Sequence, residues 1–336
     1  MRVAIYGAGA MGTVLGAYIS KEGYQIDLIN HNRQHIEGLK TNGAKIIGKI
    51  EFVQPVNALL PKEMTGKYDV ILLMTKQLNN KKIIKGLLPF LNDDAVICTM
   101  QNGLPELSVS EVIGKDRTIG CAMSWGANMH GDGVAELTSE PTKESITFSI
   151  GKFGNNDQIK FDYIVKLLSL MGTVIIEDNF IGARWAKLLV NAAFSGMSVV
   201  TGATFGEVCK NKKSRRLAQV VMKECIEVCK KDNIKIEPIQ GKDIVKLMDY
   251  NSKFKRWISF NLIPIAMKKH KNIKSSMLRD LERNRNCEIE AINGVVCKFG
   301  DKVDLETPIN DKIVEITHKI EKKLLKSSFD NLRLFD

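Results

Sequence analysis

The spacing of three glycines directly after the first apolar run most constrains what this chain can fold into. Val3–Tyr6 predicts a short buried strand, and Gly7, Gly9 and Gly12 follow it at G-x-G-x-x-G spacing before a helical stretch, Met11–Glu22. In this motif the first glycine permits a tight turn, the second lets backbone approach a pyrophosphate, and the third brings helix and strand close together. Free N–H groups at the helix start favour the anion. The predicted dinucleotide-binding turn comprises Gly7, Gly9, Ala10, Met11 and Gly12.

The end of the second predicted strand bears on the choice of cofactor. Gln25–Ile29 predicts a strand, and Asn30 stands where NAD-preferring sites place an acidic residue that binds the ribose 2′-hydroxyl. Asp27 is expected to lie mid-strand and to point away from the ribose. Arg33, with His31 close by, can pair with a 2′-phosphate, although an ordinary loop charge is the alternative. The sequence therefore favours NADPH over NADH.

Further apolar runs predict that the sheet continues through the first half of the chain. The predicted strands are Tyr68–Thr75, Ala95–Met100, Arg117–Ala122 and Thr173–Ile176, with two alternating stretches, Val134–Thr138 and Ser145–Ile150, expected to extend the sheet as antiparallel strands. Lys76 and Asn102 follow two of these runs, at the strand ends where open parallel sheets bind ligands.

The pattern changes to helices alone beyond Asn179. The main predicted helices are Ile181–Val200, Ser214–Lys231, Met277–Phe299 and Leu305–Lys323, and the segment Leu325–Asp336 is expected to fray. The net charge is −1 over residues 1–178 and +12 over residues 179–336. We therefore predict an α/β fold with a Rossmann-type dinucleotide-binding domain, 1–178, followed by an all-α substrate and catalytic domain, 179–336.

Composition limits the location and the partners of the protein. No apolar run approaches the ~20 residues that span a bilayer, and the chain opens on a strand rather than a signal sequence, so no membrane partner is expected. Seven cysteines without a C-x-x-C pair indicate a reduced, cytoplasmic protein and no metal site. The basic runs Lys210–Arg216 and Lys268–Lys271 lack interleaved aromatic residues or a nucleic-acid motif, so no nucleic-acid partner is expected.

Candidate catalytic side chains lie in the helical half. Lys187 and Asn191 are four residues apart, which places an ammonium and an amide on the same helix face. Ser276 opens a predicted helix that also carries Glu288 and Glu290. Periodicity alone does not select one of these two acidic residues.

These motifs, in this order, resemble the ketopantoate reductase (2-dehydropantoate 2-reductase) family along nearly the whole chain. The matching segments are Gly7–Gly12, Thr75-Lys76, Gln101-Asn102-Gly103, Lys187 with Asn191, Ser275-Ser276-Met277 and Glu288–Gly294. The resemblance implies an NADPH-dependent reductase of a small anionic 2-keto acid. It implies that Lys76 and Asn102 lie beside the nicotinamide and ribose, that Lys187 is the catalytic lysine with Glu288 as its acidic partner, and that Asn191 and Ser276 hold the substrate.

The chain departs from the family pattern at two positions. The family commonly has a second Asn one turn after the Asn191 position, where this chain has Ser195, which is expected to contact the substrate as well. At the 2′-phosphate position the family often has Arg, and here His31 stands there. The first departure leaves open a reductase for another 2-oxo acid, and a non-catalytic NADP-binding sensor is the alternative from a different class. A homodimer is consistent with the sequence but is not specified by it.

Overall fold

The computed structural model describes residues 1–239 and 241–336. The chain forms two compact units: the first contains residues 1–101 and 105–180, and the second contains residues 102–104 and 181–336. Residues 102–104 thus group with the helical part of the chain, although they follow a strand of the first unit. No helix within the described ranges is long and apolar enough to cross a membrane.

The first unit, all of whose residues the structure describes, contains twelve strands. In chain order they are β1 (Val3–Tyr6), β2 (Asp27–Ile29), β3 (Ala44–Gly48), β4 (Phe52–Gln54), β5 (Asn57–Leu59), β6 (Tyr68–Leu73), β7 (Leu91–Thr99), β8 (Thr118–Met123), β9 (Ala127–Gly131), β10 (Val134–Leu137), β11 (Thr147–Lys152) and β12 (Thr173–Ile176). Eight form the main sheet in the order β12-β11-β8-β7-β6-β1-β2-β5, and four form a small sheet in the order β4-β3-β10-β9. The main sheet is parallel except between β8 and β11.

The centre of the main sheet fixes where a ligand can bind. β1 is a continuous apolar run, as is β6 from Val70 onward, and Ile5 and Leu72 are fully buried, as expected for strands covered on both faces. The chain runs from β1 to β2 on one side and returns to β6 on the other side of β1. The crevice at the carboxyl ends of β1 and β6 is therefore the topological switch point, where doubly wound sheets bind dinucleotides.

Five helices accompany these strands: α1 (Ala10–Lys21), α2 (Arg33–Asn42), α3 (Asn80–Leu87), α4 (Pro105–Ile113) and α5 (Gln158–Ser169). α1 packs on the main sheet, where Gly16 leaves no room for a Cβ beside the Leu28 side chain of β2. Its other side meets the small sheet, with the ring of Tyr18 edge-on to that of Phe52 at 5.5 Å. The first helix is thus held between two sheets.

The small sheet corrects one sequence prediction. Val134–Thr138 does not extend the main sheet, because β10 pairs with β3 on one side and β9 on the other. The predicted strand Ser145–Ile150 does extend it, as β11, antiparallel to β8. The difference arises because β3 and β9, which supply the partners of β10, are short strands that were not predicted.

The second unit is helical. Its helices are α6 (Phe180–Thr201), α7 (Phe205–Lys210), α8 (Lys212–Lys231), α9 (Ile244–Met248), α10 (Lys253–Ala266), α11 (Ser276–Glu282), α12 (Ile289–Lys302) and α13 (Pro308–Glu321), followed by a 3₁₀ helix (Phe329–Phe335). α6 is its central helix, and most of its length is buried. The Asn293 side chain on α12 donates to the main-chain oxygen of Ala192 at 3.1 Å and so attaches α12 to α6.

The predicted helix Met277–Phe299 is wrong, because the chain breaks it into α11 and α12. After Glu282 the N–H of Arg283 turns back to Asp280, and Asn284 adopts a left-handed conformation with φ of 53°. Asn tolerates this region better than most residues, and a helix does not continue through it. Glu288 therefore occupies the N-cap position of α12 and not the middle of a helix.

The C-terminal segment is docked, so the prediction that Leu325–Asp336 frays is wrong. The amide of Asn331 donates to the main-chain oxygens of Val200 at 2.9 Å and Lys326 at 2.8 Å, and Leu332 is buried. These contacts hold the tail on the end of α6.

Candidate functional site

Two of the three motif glycines are required by the protein itself. Gly7 has φ of +104°, and a Cβ added there would lie 2.4 Å from the main-chain N of Thr75. A Cβ on Gly12 would lie 3.0 Å from the main-chain O of Gly7 and from a methyl group of Ile5. Gly7 therefore allows the turn and its contact with the loop after β6, and Gly12 allows α1 to approach β1.

Gly9 has no such reason to be glycine. Its φ is −80°, which any residue adopts, and a Cβ added there would meet no protein atom nearer than the Gly7 oxygen at 3.9 Å. The space in front of Gly9 is thus open, directly before the first turn of α1, where Ala10, Met11 and Gly12 lie. This is the arrangement that a pyrophosphate requires, because a side chain at Gly9 would fill the space that the anion needs.

A basic pocket lies where β2 ends. It has a volume of about 370 Å³ and is lined by His31, Arg33, Leu60, Pro61 and Lys62. Arg33 is the first residue of α2, whose N-cap Asn32 accepts a hydrogen bond from the N–H of His35 at 3.3 Å. Arg33 therefore lies at a helix start rather than in a loop.

Lys62 was missed by the sequence prediction. It lies in a 3₁₀ turn (Pro61–Glu63) just after β5, the strand that pairs with β2. The adjacent Glu63 carboxylate is bound by the Lys40 ammonium at 2.9 Å and by the N–H of Leu60 at 2.7 Å. A basic residue after a strand was the available signal, but β5 has three residues and was not predicted.

Asp27 is excluded as the ribose ligand by its contacts. It is the first residue of β2, not a mid-strand residue, so it lies at the opposite end of the strand from Asn30. Its carboxylate accepts hydrogen bonds from the Tyr68 hydroxyl at 2.6 Å, the Asn57 amide at 2.6 Å and the Arg2 guanidinium at 3.1 Å.

A buried amide pair supports the loop that follows β6. The Gln101 amide donates to the main-chain oxygen of Thr75 at 2.9 Å and to the Asn80 side chain at 2.8 Å, and Asn80 donates back at 2.9 Å. Lys76 follows Thr75 and is exposed, and Asn102 follows Gln101 and is half-buried. Lys76 and Asn102 thus each follow a residue that these hydrogen bonds hold in place, near the ends of β6 and β7.

On α6 the predicted substrate residues form one accessible stripe. Between Arg184 and Thr201 every residue is buried except Lys187, Val190, Asn191 and Ser195. The spacing of these four residues places them along one face of the helix. The structure therefore places Lys187, Asn191 and Ser195 on one accessible face of a largely buried stretch of α6.

The start of α11 separates the roles of two adjacent serines. The Ser275 hydroxyl accepts a hydrogen bond from the N–H of Leu278 at 3.0 Å and caps the helix, and its side chain is buried. Ser276 is the first helical residue and is exposed. Ser276 is thus the serine whose hydroxyl faces outward.

Burial also separates the two candidate glutamates. Glu288 is 6% exposed. Glu290 is exposed and binds His318 at 2.9 Å and Lys298 at 3.1 Å. Partial burial raises the pKa of Glu290, but these two hydrogen bonds outweigh that effect and lower it. Glu290 thus has structural partners on the surface, which favours Glu288 as the acidic residue of the site.

A buried polar cluster fixes the helices that carry these residues. The Asn293 amide, besides binding Ala192, donates to Asn310 at 2.9 Å. Asn310 in turn donates through its side chain to Glu224 at 2.6 Å, and the N–H of Ile309 donates to the same carboxylate at 3.0 Å. Burial raises the pKa of Glu224, while the donated hydrogen bonds oppose this effect. The cluster joins α6, α8, α12 and α13.

Comparison with protein families identifies the family of the chain. A model described as ketopantoate reductase PanE/ApbA matches residues 3–151, and the model for the C-terminal part of the same family matches residues 179–321. The chain belongs to the ketopantoate reductase family.

Curated members of this family resemble the chain over nearly its full length. It is 26% identical to the 2-dehydropantoate 2-reductase of Archaeoglobus fulgidus, covering 96% of this chain and 99% of that protein. It is 24% identical to the 2-dehydropantoate 2-reductase of Lactococcus lactis, covering 97% of this chain and 100% of that protein.

Solved structures share the fold. A D-mandelate dehydrogenase with NADH and anilino(oxo)acetate matches with a TM-score of 0.81 at 20% identity. A ketopantoate reductase from Ralstonia eutropha matches with a TM-score of 0.80 at 22% identity. Each match covers 96% of this chain and 99% of the other. At these identities the similarity concerns the fold alone.

Proposed function

We propose that this protein reduces 2-dehydropantoate (ketopantoate) to pantoate with NADPH, a step in the synthesis of pantothenate and coenzyme A. It is an NADP-dependent oxidoreductase that acts on a CH–OH group. The observation that carries the proposal is the accessible stripe of α6. The ammonium of Lys187, the amide of Asn191 and the hydroxyl of Ser195 share one face of this helix, along residues 184–201, where every other residue except Val190 is buried. These are the groups that a 2-keto acid, with its carboxylate and ketone oxygens, needs as partners.

The glycine-rich turn fits NADPH. The open space at Gly9, which protein packing does not explain, accommodates the pyrophosphate, and the start of α1 at Ala10 and Met11 supplies N–H groups toward it. When bound, NADPH supplies the hydride that reduces the ketone. Lys76 and Asn102, at the ends of two strands, are proposed to contact the nicotinamide and its ribose.

The basic pocket supports a preference for NADPH over NADH. His31, Arg33 and Lys62 line it with groups that attract a 2′-phosphate, and Asn30 replaces the carboxylate that would repel one. Arg33 can bind a phosphate through two parallel N–H groups, whereas Lys62 acts as a point charge. Because these side chains are exposed, we expect the preference to weaken as ionic strength rises.

Lys187 is proposed as the general acid. As the ketone carbon accepts a hydride, its oxygen becomes an alkoxide, and an ammonium beside it stabilises that charge and delivers a proton. Proton transfer from a positioned group contributes about 10²–10⁴ in rate. Glu288, a nearly buried carboxylate, is proposed to anchor the new hydroxyl group and to orient Lys187.

The remaining polar groups are proposed to hold the substrate. The Asn191 amide suits the keto acid carbonyl, and the outward hydroxyl of Ser276 suits its carboxylate. Ser195 and Asn102 complete the set of polar contacts. The hydrogen bond from Asn293 to Ala192 joins α12 to α6. It thereby fixes the position of the start of α12, where Glu288 lies, relative to the stripe that carries Lys187.

A reductase for another 2-oxo acid is the second candidate. The observation that favours it is Ser195, where the family commonly has an asparagine, because a hydroxyl is shorter than an amide and makes fewer hydrogen bonds. The side chain of residue 195 lies on the accessible stripe, so its size affects the space available to the substrate.

The proposal includes a cytoplasmic location. All seven cysteines are free, and six of them are buried. Burial raises the pKa of Cys225 and of Cys209, the latter to about 11, so these thiols are poor nucleophiles near neutral pH. Reduced thiols of this kind are typical of proteins that work in a reducing compartment.

The test is to follow the loss of reduced-nicotinamide absorbance with NADPH and a panel of 2-oxo acids. We expect ketopantoate to give the highest kcat/KM. Lys187→Ala should lower kcat about a hundredfold or more, with NADPH affinity near that of wild type. Lys298→Ala, which removes an exposed lysine of α12, is the matched control. A loss below about threefold in Lys187→Ala contradicts the catalytic assignment.

A further inference from the structure

One buried histidine that the proposed reaction does not use contacts the glycine-rich turn directly. His35, on the first turn of α2, is 1% exposed. Its Nε2 lies 3.0 Å from the main-chain oxygen of Ala8, the residue between Gly7 and Gly9, and 3.0 Å from the Thr13 hydroxyl on α1. A side chain of α2 thus contacts the cofactor turn from inside the protein.

The other ring nitrogen fixes the protonation of this histidine. The main-chain N–H of Gly133, in the turn between β9 and β10, lies 3.1 Å from Nδ1 of His35. An N–H group can only donate, so Nδ1 must accept and the proton is assigned to Nε2. The neutral ring then donates to the Ala8 oxygen, and the hydrogen-bonding capacity of both nitrogens is used.

The contact with Ala8 controls the shape of the cofactor turn. A peptide unit is planar, so holding the Ala8 oxygen fixes the orientation of the whole Ala8–Gly9 peptide. The oxygen points toward buried His35, while the space before Gly9 is open. The same peptide is also held by the N–H of Gly9, which donates to the Gly7 oxygen at 2.7 Å, and by the Thr13 hydroxyl, which donates to the Ala8 oxygen at 3.4 Å. Loss of the His35 hydrogen bond therefore loosens the orientation of this peptide and weakens pyrophosphate binding without abolishing it.

We infer that His35 is a positioning residue for NADPH binding, and that its neutral imidazole holds the pyrophosphate-binding turn in its binding-competent form. The inference rests on the proposed function only in naming NADPH as the ligand. His35 acts through the main chain of Ala8 and touches neither cofactor nor substrate.

The environment of His35 keeps it neutral near pH 7. Burial lowers its pKa, while the Ala8 oxygen, the Asp132 carboxylate and the Gly131 oxygen oppose this effect. Of these groups Asp132 is charged, and it lies in the turn that packs against α2. Thr13, which faces His35 from α1, is uncharged. Protonation would place an N–H on Nδ1 against the N–H of Gly133. The inference therefore requires NADPH affinity to fall on acidification below the ordinary histidine pKa of about 6.5.

Three substitutions separate a positioning role from simple packing. His35→Gln keeps an amide donor at the reach of Nε2, His35→Asn keeps an acceptor near Nδ1 but is too short to reach Ala8, and His35→Phe keeps only the ring.

The dissociation constant for NADPH is measured by fluorescence titration, and folding is followed by circular dichroism. We expect His35→Gln to bind NADPH within about threefold of wild type and the other two to bind about tenfold more weakly, the factor expected for one buried hydrogen bond. The KM for the keto acid, at saturating NADPH, should not change.

A pH titration gives a second readout that does not depend on the Asn and Phe variants folding. Below about pH 6.5 the NADPH affinity of the wild type should fall more steeply with acidification than that of His35→Gln, and the exposed-residue control His270→Gln should follow the wild type. Equal NADPH affinity in wild type and His35→Asn, or identical pH profiles in wild type and His35→Gln, overturns the inference. A wild-type protein that binds NADPH with these differences but does not reduce ketopantoate contradicts the substrate assignment and leaves the inference intact.

Discussion

His318 on α13 binds Glu290 on α12, with Nε2 2.9 Å from a carboxylate oxygen. Its Nδ1 lies 2.9 Å from the carboxylate of Glu321 on the same helix, so the contact with Glu290 is the one that joins α13 to α12. Partial burial lowers the pKa of His318, but its two acidic partners outweigh that effect and raise it. Glu290 therefore has a structural partner, and it stands two residues after the proposed catalytic Glu288.

The first prediction concerns the difference between Glu288, which is buried, and Glu290, which is ion-paired at the surface. Glu288→Gln should lower kcat/KM for the keto acid at least about tenfold, because a hydrogen bond to a charged group contributes about 1.5–3 kcal/mol. Glu290→Gln should change kcat/KM less than about threefold and lower the free energy of unfolding by no more than about 1 kcal/mol, since both of its ion pairs are partly open to solvent. Steady-state kinetics and urea unfolding of both variants provide the measurement. A greater loss of kcat/KM in Glu290→Gln than in Glu288→Gln would show that Glu290, and not Glu288, has the acidic role.

The glycines of the turn give a second, paired prediction. Gly9→Val should fold with a free energy of unfolding close to that of wild type, because its Cβ meets no protein atom within 3.9 Å, and it should lose NADPH binding. Gly7→Ala should lower the free energy of unfolding by about 2 kcal/mol or more, because it strains a positive φ and collides with Thr75. Thermal unfolding and NADPH titration measure the two effects separately. NADPH binding by a folded Gly9→Val protein would show that the turn does not bind a pyrophosphate.

The basic pocket predicts how the chain discriminates between cofactors. The wild type should bind NADPH at least about ten times more tightly than NADH. Arg33→Ala and Lys62→Ala should each reduce the difference in binding free energy between NADPH and NADH by about 1–2 kcal/mol, toward the low end for a hydrogen bond to a charged group because both side chains are exposed, with little change in NADH affinity. Lys45→Ala, which alters an exposed lysine on β3, serves as the control. Titrations at low and high salt should show that the ratio of NADPH to NADH affinity decreases as ionic strength rises. Equal affinity of the wild type for both cofactors would contradict the assignment of this pocket to the 2′-phosphate.

The parts of this site that sequence could predict are those in which local spacing determines the geometry. The turn at Gly7, Gly9 and Gly12 depends on neighbouring residues, and the stripe of Lys187 and Asn191 depends only on helical periodicity. Both could be identified before any tertiary contact was known, and burial then showed that the stripe is the accessible face of α6.

The parts that could not be predicted depend on contacts distant in sequence. Lys62 joins the basic pocket because the three-residue strand β5 pairs with β2, and short strands carry little periodic signal. Periodicity alone did not choose between Glu288 and Glu290, and only the family resemblance implied Glu288. The difference in burial between them is a tertiary feature, and it follows the helix break at Asn284, where a left-handed residue interrupts an otherwise helical pattern. Likewise, the role of His35 depends on Gly133, which is 98 residues away along the chain.

Ser195 gives the sharpest test of the substrate, because it is the stripe residue at which the chain departs from its family. It lies one turn beyond Asn191 and is half-buried, so an asparagine there should be accommodated at the protein surface. If ketopantoate is the substrate, Ser195→Asn adds an amide that can bind polar groups of the keto acid, and the KM for ketopantoate should fall.

The expected size of this effect follows from the cost of leaving a polar group unpaired, about 1–3 kcal/mol, which corresponds to a change in KM on the order of tenfold to a hundredfold. Val190→Asn, which places the same amide at another position of the stripe, is the control and should not lower KM. If the site is instead shaped for a different 2-oxo acid, the larger side chain should obstruct that substrate, and ketopantoate should be a poor substrate of both wild type and variant. Wild-type activity on another 2-oxo acid well above that on ketopantoate would therefore change the substrate assignment, while the roles of Lys187 and Glu288 in reduction would stand.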